Sequence, residues 1–283
     1  MKAIRIVPGS LVALTILMPG TRAQAQQLAV SLVQTVKPII RSYPGVSLGI
    51  LGIQTGMTVA QVEAIAAKNN LGKPLETKIN CSYTFNGITA QSQEFIAQIE
   101  YGSGTDHDFI LYFNSPVTGN TLSSMYRAIT FRTDGPQKQP LRSALKADLV
   151  KQYGTPSAPD AALSGGAGGS AYYYASTWLY GDKSDLKCPS NFCPSFGSPN
   201  TYQHKNYDLE EIDNQNMQAF APAGLQKGVD FLISTSIFVG SYGGELSTSL
   251  TVAMGDFQAV ENDVSAAKEQ FQAAILKVSN KQK

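Results

Sequence analysis

Few residues in this chain have the types and spacing that catalysis requires. Only two histidines occur, His107 and His204. His107 lies in Thr105-Asp106-His107-Asp108, where a carboxylate beside the imidazole could raise its pKa and prepare a general base. Adjacent residues on a strand point to opposite faces, however, so a polar loop histidine is the favoured reading. Gly45-Val46-Ser47-Leu48-Gly49 matches the G-x-S-x-G nucleophile pattern. That motif needs a strand before it and a helix after it. Here a Tyr-Pro turn precedes and an extended apolar run follows. Asp208, Glu210, Glu211 and Asp213 form an acidic cluster that could bind calcium. It lacks the loop glycine and the D-x-D-x-D spacing and reads as a solvated loop. The glycine-rich run at 164–170 has neither the Lys-Ser/Thr of a phosphate-cradling loop nor a dinucleotide fingerprint. No catalytic residue and no cofactor is assigned.

Three cysteines are present: Cys81, Cys188 and Cys193. Cys188 and Cys193 bracket Pro-Ser-Asn-Phe, and in an oxidising compartment such a pair most simply closes a small disulfide loop. Cys81 reads as a buried free thiol in an apolar run, although a bridge to either of the others is also open. A zinc site from Cys81, Cys188, Cys193 and His204 lacks the C-x-x-C spacing of structural sites, so no metal is assigned. Asn80-Cys81-Ser82 matches a glycosylation acceptor, which matters only in a eukaryotic secretory pathway.

The best binding candidate is aromatic. Period-two geometry puts Tyr172, Tyr174, Trp178 and Tyr180 on one face of a strand. Buried, the row is core, and each polar tip needs a partner. Exposed, it is a platform for a sugar ring, a peptide or a partner protein.

The elements that must position these residues are legible in outline. Residues 26–41 carry Leu28, Val30, Leu32, Val33, Val36 and Ile39 and are read as a helix, with Pro38 ending or kinking it. Residues 47–53 read as a short extended run. Thr58 and Gln61 make a capping box for a second helix, stapled by Met57 and Val62. Leu71-Gly72-Lys73-Pro74 closes that helix. Four strands are expected at 77–85, 94–101, 109–114 and 125–133, separated by turn residues such as Asn86-Gly87. A further helix at 141–153 ends in Tyr153-Gly154-Thr155-Pro156, the same apolar-Gly-x-Pro stop. Then come a strand at 171–180, a hairpin of 230–239 with 245–253, and a last helix at 256–278.

The order α, four strands, α, three strands, α gives an α+β fold: antiparallel sheets with helices packed on one face. The repeated helix stop suggests two tandem α-β modules. The division is an N-terminal module at 26–157, a Gly/Ser-rich loop at 158–170, and a C-terminal module at 171–283. The last carries an irregular insertion at 181–229.

Ahead of these modules, Lys2 and Arg5 precede an apolar run at 11–18, broken by Pro19-Gly20 and followed by Ala23-Gln24-Ala25. That is the pattern of a secretory signal peptide at 1–25, cleaved after Ala25. No cysteine follows for lipidation, and no later stretch is long enough to span a bilayer. The protein is expected in the periplasm or secreted. Losing Lys2, Arg5 and Arg22 with the leader takes the formal charge from +1 to −2. That near-neutral balance offers no footprint for nucleic acid or anionic lipid. Of the 283 residues, 43% are hydrophobic and only 15% charged, which allows a sizeable core and argues against wholesale disorder.

The run Gly56-Met57-Thr58, then Val62, then Leu71-Gly72-Lys73-Pro74 resembles the helix signature of BamE/SmpA-like outer-membrane assembly lipoproteins. It also resembles the wider group with the β-lactamase-inhibitor-protein-like fold. In those families helices precede a short antiparallel sheet, and modules often occur in tandem. The resemblance covers about twenty residues, the lipidated cysteine is absent, and the stretch from Val62 to Leu71 is longer than the family's usual one. It implies a non-catalytic interaction or binding module whose partner is an envelope or secreted protein, and it transfers no binding residue. The alternatives are a secreted hydrolase of unfamiliar type, using acidic residues with His107 or His204, and a secreted enzyme inhibitor.

Overall fold

The computed structural model describes residues 27–102, 107–131, 139–165, 171–181, 206–209, 217–240 and 244–281. These residues build a mixed α/β fold dominated by one sheet. Its elements in chain order are β1 (Gln27–Val30), α1 (Val59–Lys68), β2 (Leu75–Phe85), β3 (Ile88–Ser92), β4 (Phe95–Tyr101), β5 (His107–Phe113) and β6 (Leu122–Thr130). They continue with α2 (Arg142–Tyr153), β7 (Ala158–Gly165), β8 (Ala171–Tyr180), β9 (Asn206–Asp208), α3 (Met217–Gln226), β10 (Phe231–Val239), β11 (Ser247–Asp256) and α4 (Phe257–Ser279).

The strands run β1-β3-β2-β4-β5-β6-β11-β10-β8-β7 across an eleven-stranded sheet, with β9 added on β2. Neighbours are antiparallel except β1 on β3 and β9 on β2, which are parallel. The capping box forms as its residues require. The Thr58 side chain accepts from the Gln61 amide, and Gln61 Oε1 accepts from the Thr58 amide at 2.9 Å. Met57 and Val62 then lie in one core. Asn86 and Gly87 both take positive φ, 52° and 76°, the backbone of a tight hairpin turn. That turn joins β2 to β3, a strand absent from the sequence reading.

Apolar side chains gather in two cores. One takes Val62 and Ala66 of α1, Leu149 and Tyr153 of α2, and strand residues including Leu111, Met125, Trp178, Ile233 and Met254. The other takes Val260, Val264, Ala267, Phe271 and Ile275 of α4, Ala221 of α3, and strand residues including Ile79, Tyr112, Leu232 and Ala253. Consecutive residues divide between the cores, Leu111 from Tyr112 and Leu232 from Ile233, so the cores lie on opposite faces of the sheet. The expectation of helices on one face is therefore corrected: α1 and α2 take one face, α3 and α4 the other. A two-sided apolar sheet demands cover on both sides.

Three further expectations change. The helix expected at 26–41 is not formed by the described residues 27–41: β1 and an extended strap take its place. Leu28, Val30 and Leu32 alternate with exposed neighbours, which is a strand period, and Val at 30, 33 and 36 suits extended backbone. The Gly/Ser-rich stretch 158–170 begins as β7, whose backbone pairs with β8 as far as Gly165. The insertion 181–229 contains β9 and α3. Within β4, Phe95, Ala97, Ile99 and Tyr101 alternate in sequence but do not share a face. Thr77 pairs with Gln98 and Lys78 with Ile96, leaving Ala97 as the extra residue of a β-bulge. Phe95 and Ala97 enter the α4 core, while Ile99 and Tyr101 enter the α1–α2 core.

Candidate functional site

The aromatic row lies opposite Val239, Ile237, Ile233 and Phe231 of β10, on the face covered by α1 and α2. Trp178 is buried; Tyr172, Tyr174 and Tyr180 are half-buried. The polar tips of the inner two residues are satisfied at the end of α2. Trp178 Nε1–H donates to the Gly154 carbonyl at 2.8 Å, and the Tyr180 hydroxyl to the Tyr153 carbonyl at 2.6 Å. Tyr153 meets the Trp178 edge at 5.6 Å, and Tyr43 stacks on Tyr180 at 5.0 Å. Burial pushes the Tyr153 and Tyr180 phenols well above their ordinary value. Further out, the Arg142 guanidinium sits 3.9 Å over the Tyr174 ring while pairing with Glu245 at 2.8 Å. The inner half of the row is thus part of the core.

Among the described residues, the remaining sequence candidates hold separate places in the fold. His107 holds a backbone position in β5 opposite Ile129. Asp208 holds one in β9 opposite Ser82. Cys188, Cys193, His204, Glu210, Glu211 and Asp213 lie outside the described residues. Cys81 is a buried free thiol, pushed well up by burial and next by the charge of Asp263. Ser47 precedes a turn rather than a helix. Among the described residues no three metal-ligating side chains cluster, and no helix is long and apolar enough to cross a membrane.

The buried charges sit instead at the start of α4. Asp256 is its N-cap: Oδ1 accepts from the Ala259 amide at 2.9 Å. Arg41 grips the same carboxylate in two places, Nε to Oδ2 at 2.9 Å and Nη2 to Oδ1 at 3.3 Å. Its Nη1 lies 3.6 Å from Asp230. Burial raises the Asp256 pKa and Arg41 opposes this, with a net upward shift. Two turns along, buried Asp263 accepts from the Ser115 amide at 3.0 Å, the Ser115 hydroxyl at 2.8 Å and the Thr118 hydroxyl at 3.2 Å. Burial pushes this carboxyl up to about 6, against those hydrogen bonds. Both carboxylates engage protein donors, so their arrangement ties α4 to the segments beside it.

One of those segments is the strap, residues 27–41. Leu28, Val30 and Leu32 are buried in the α4 core. The strap backbone is then bound by glutamine side chains. Gln93 accepts from the Leu32 amide at 2.9 Å and donates to the Leu32 carbonyl at 2.9 Å. Gln270 of α4 accepts from the Val33 amide at 3.0 Å and donates to the Val33 carbonyl at 2.8 Å. The Thr35 and Val36 amides both donate to the Val117 carbonyl, at 2.9 and 3.0 Å. Further on, the strap crosses Gly56, where a Cβ would run into the Ile39 carbonyl oxygen. Gln93 and Gln270 carry no motif that sequence reading could use. The alternation of Leu28, Val30 and Leu32 was the available signal for the strap.

Comparison with protein-family models, with curated proteins and with solved structures gave no match.

Proposed function

We propose that this chain is an exported, non-catalytic interaction module built from two related α-β units. The observation that carries the reading is the mirrored strand order at the centre of the sheet. The run β2-β4-β5-β6 meets β11-β10-β8-β7, so each half lines up four strands in chain order, with β3 inserted in the first and β9 and α3 in the second, and the halves join by their last strands. The central pair, β6 with β11, is antiparallel, as a two-fold axis normal to the sheet requires. A helix precedes the first strand of each half, α1 before β2 and α2 before β7. Both helices contribute to the same core. The two helix ends share a positive-φ glycine with proline two residues later: Gly154 at φ 80° directly after α2, and Gly72 at φ 86° four residues after α1, which itself turns at Asn70, φ 55°. Tandem helix-and-sheet units are what the resemblance to BamE/SmpA-like and β-lactamase-inhibitor-protein-like modules implies. Those modules act through a protein surface.

Export rests on the leader pattern, and cleavage after Ala25 leaves one residue ahead of β1. The partner is an envelope or secreted protein, with no role for nucleic acid or a membrane span. Tyr172 and Tyr174, the half-buried end of the aromatic row, are the surface offered to it.

The test is affinity capture of the tagged chain from cell-envelope extract of its source organism, with crosslinking and mass spectrometry. The expected result is a reproducible protein partner that is lost with Tyr174→Ala while the fold persists. Finding no partner, together with turnover of ester, peptide or glycan substrates, would overturn the reading.

A further inference from the structure

The strap has the features of a bound peptide. Its side chains alternate, with Leu28, Val30 and Leu32 inward and Ala29, Ser31 and Val33 outward. Its first four residues add a parallel strand to β3, from Gln27 opposite Thr89 to Val30 opposite Ser92. The next residues are held by Gln93, Gln270 and the Val117 carbonyl, mostly through backbone groups, with one bond from Gln270 to the Thr35 hydroxyl at 3.2 Å. Strand addition with pockets for alternate side chains is a general mode of peptide recognition, in which backbone bonds give affinity and the pockets give selectivity. β1 is also the end of the sheet, paired only with β3 among the described strands.

We infer that the groove formed by β3, Gln93 and Gln270 is a peptide-binding site for extended segments with apolar residues at alternate positions. Its resident ligand is the chain's own strap, and it takes the strap of a second copy by strand exchange. A second copy commits as the partner because it supplies the same side chains in the same register, so every contact above is reproduced between chains. Reciprocal exchange closes as a two-fold dimer. The tethered strap competes at an effective concentration on the order of millimolar, so exchange requires a weakened strap or a crowded chain. This goes beyond the envelope-partner reading and involves a different surface from Tyr172 and Tyr174.

The test uses a fluorescent peptide copying residues 27–36 and the Leu32→Ser chain, whose own strap is weakened. The expected result is saturable binding, at least about tenfold tighter than that of a control peptide with its apolar residues moved by one position. Gln270→Ala in the same chain weakens it about tenfold. Absent or register-independent binding overturns the proposal. So does binding that Gln270→Ala leaves unchanged. Fluorescence of the single tryptophan reports whether Leu32→Ser folds. If it does not, the unaltered chain decides. Heavy- and light-isotope copies are mixed at millimolar concentration and crosslinked through Lys37. Adducts joining the Lys37 of one isotope to α4 of the other support exchange, and adducts within one isotope alone contradict it. Capture of an envelope protein by a chain that fails these tests leaves the interaction-module reading standing.

Discussion

Val33 and Gln270 lie 237 residues apart and exchange two hydrogen bonds, amide to Oε1 at 3.0 Å and Nε2 to carbonyl at 2.8 Å. A segment at one end of the chain is thereby fixed to the helix at the other. The bonds are backbone-directed, so their strength does not depend on valine at 33. Gln270→Ala removes both. At roughly 1 kcal/mol net for each hydrogen bond, the expected loss is about 1–2 kcal/mol. That corresponds to a fall in Tm of several degrees at this chain size. Thermal unfolding checks it, and Val33→Ala should cost less.

Asp263 makes stability depend on pH with a defined sign. Its carboxyl is raised from 3.8 to about 6 in the folded protein. The folded state therefore holds the proton more tightly than the unfolded state does. Stability contributed by this group rises as pH falls through about 6 and is complete below about 3.8. The full swing is roughly 3 kcal/mol. Asp256 is shifted upward too, by burial first, and acts in the same direction. Asp263→Asn keeps an acceptor for Ser115 and cannot ionise. Urea unfolding at pH 5 and pH 7.5 should show the pH difference shrinking in that variant. An unchanged difference would remove Asp263 as its source.

Arg41 neutralises a carboxylate that has almost no exposure, the Asp256 side chain being 1% accessible. Arg41→Met strands that charge. The expected cost is about 3–5 kcal/mol, the range for breaking one side of a buried pair. Asn also caps helices, so the Arg41→Met/Asp256→Asn double variant should recover much of the loss. Denaturant midpoints of the two variants decide it.

The aromatic row should divide into two classes. Trp178→Ala opens a cavity and orphans the Gly154 carbonyl, at a cost of about 3–5 kcal/mol. Tyr174→Ala removes a half-buried ring and its contact with Arg142 and should cost no more than about 1 kcal/mol. Circular dichroism and denaturant unfolding of both variants separate them.

The elements that sequence exposed were those whose signal is local. The Thr58–Gln61 capping box, the Gly154 stop, the period-two run of β8 and the last helix all depend on neighbouring residues. The failures have long-range causes. The bulge at Ala97 depends on how β2 pairs with β4, which no window along β4 contains. Residues 26–41 carry apolar positions that suit a helix as well as a strand. The alternation of Leu28, Val30 and Leu32 points to a strand, and the edge of β3, together with Gln93 and Gln270, fixes the segment as extended. The strap site escaped for the same reason, since glutamines without a spacing rule have no signature until the fold brings them to one backbone. The Asp256–Arg41 pair spans 215 residues and was equally invisible.

Native-state hydrogen exchange of the Leu32 and Val33 amides tests most directly whether the strap is a docked ligand. These amides donate to Gln93 and Gln270, and releasing the strap alone frees both. The account predicts that they exchange through a local opening, at a free energy well below that of the β10 and β11 amides, and with little dependence on denaturant. Exchange of Leu32 and Val33 only through global unfolding, at the same free energy as β10 and β11, would contradict it.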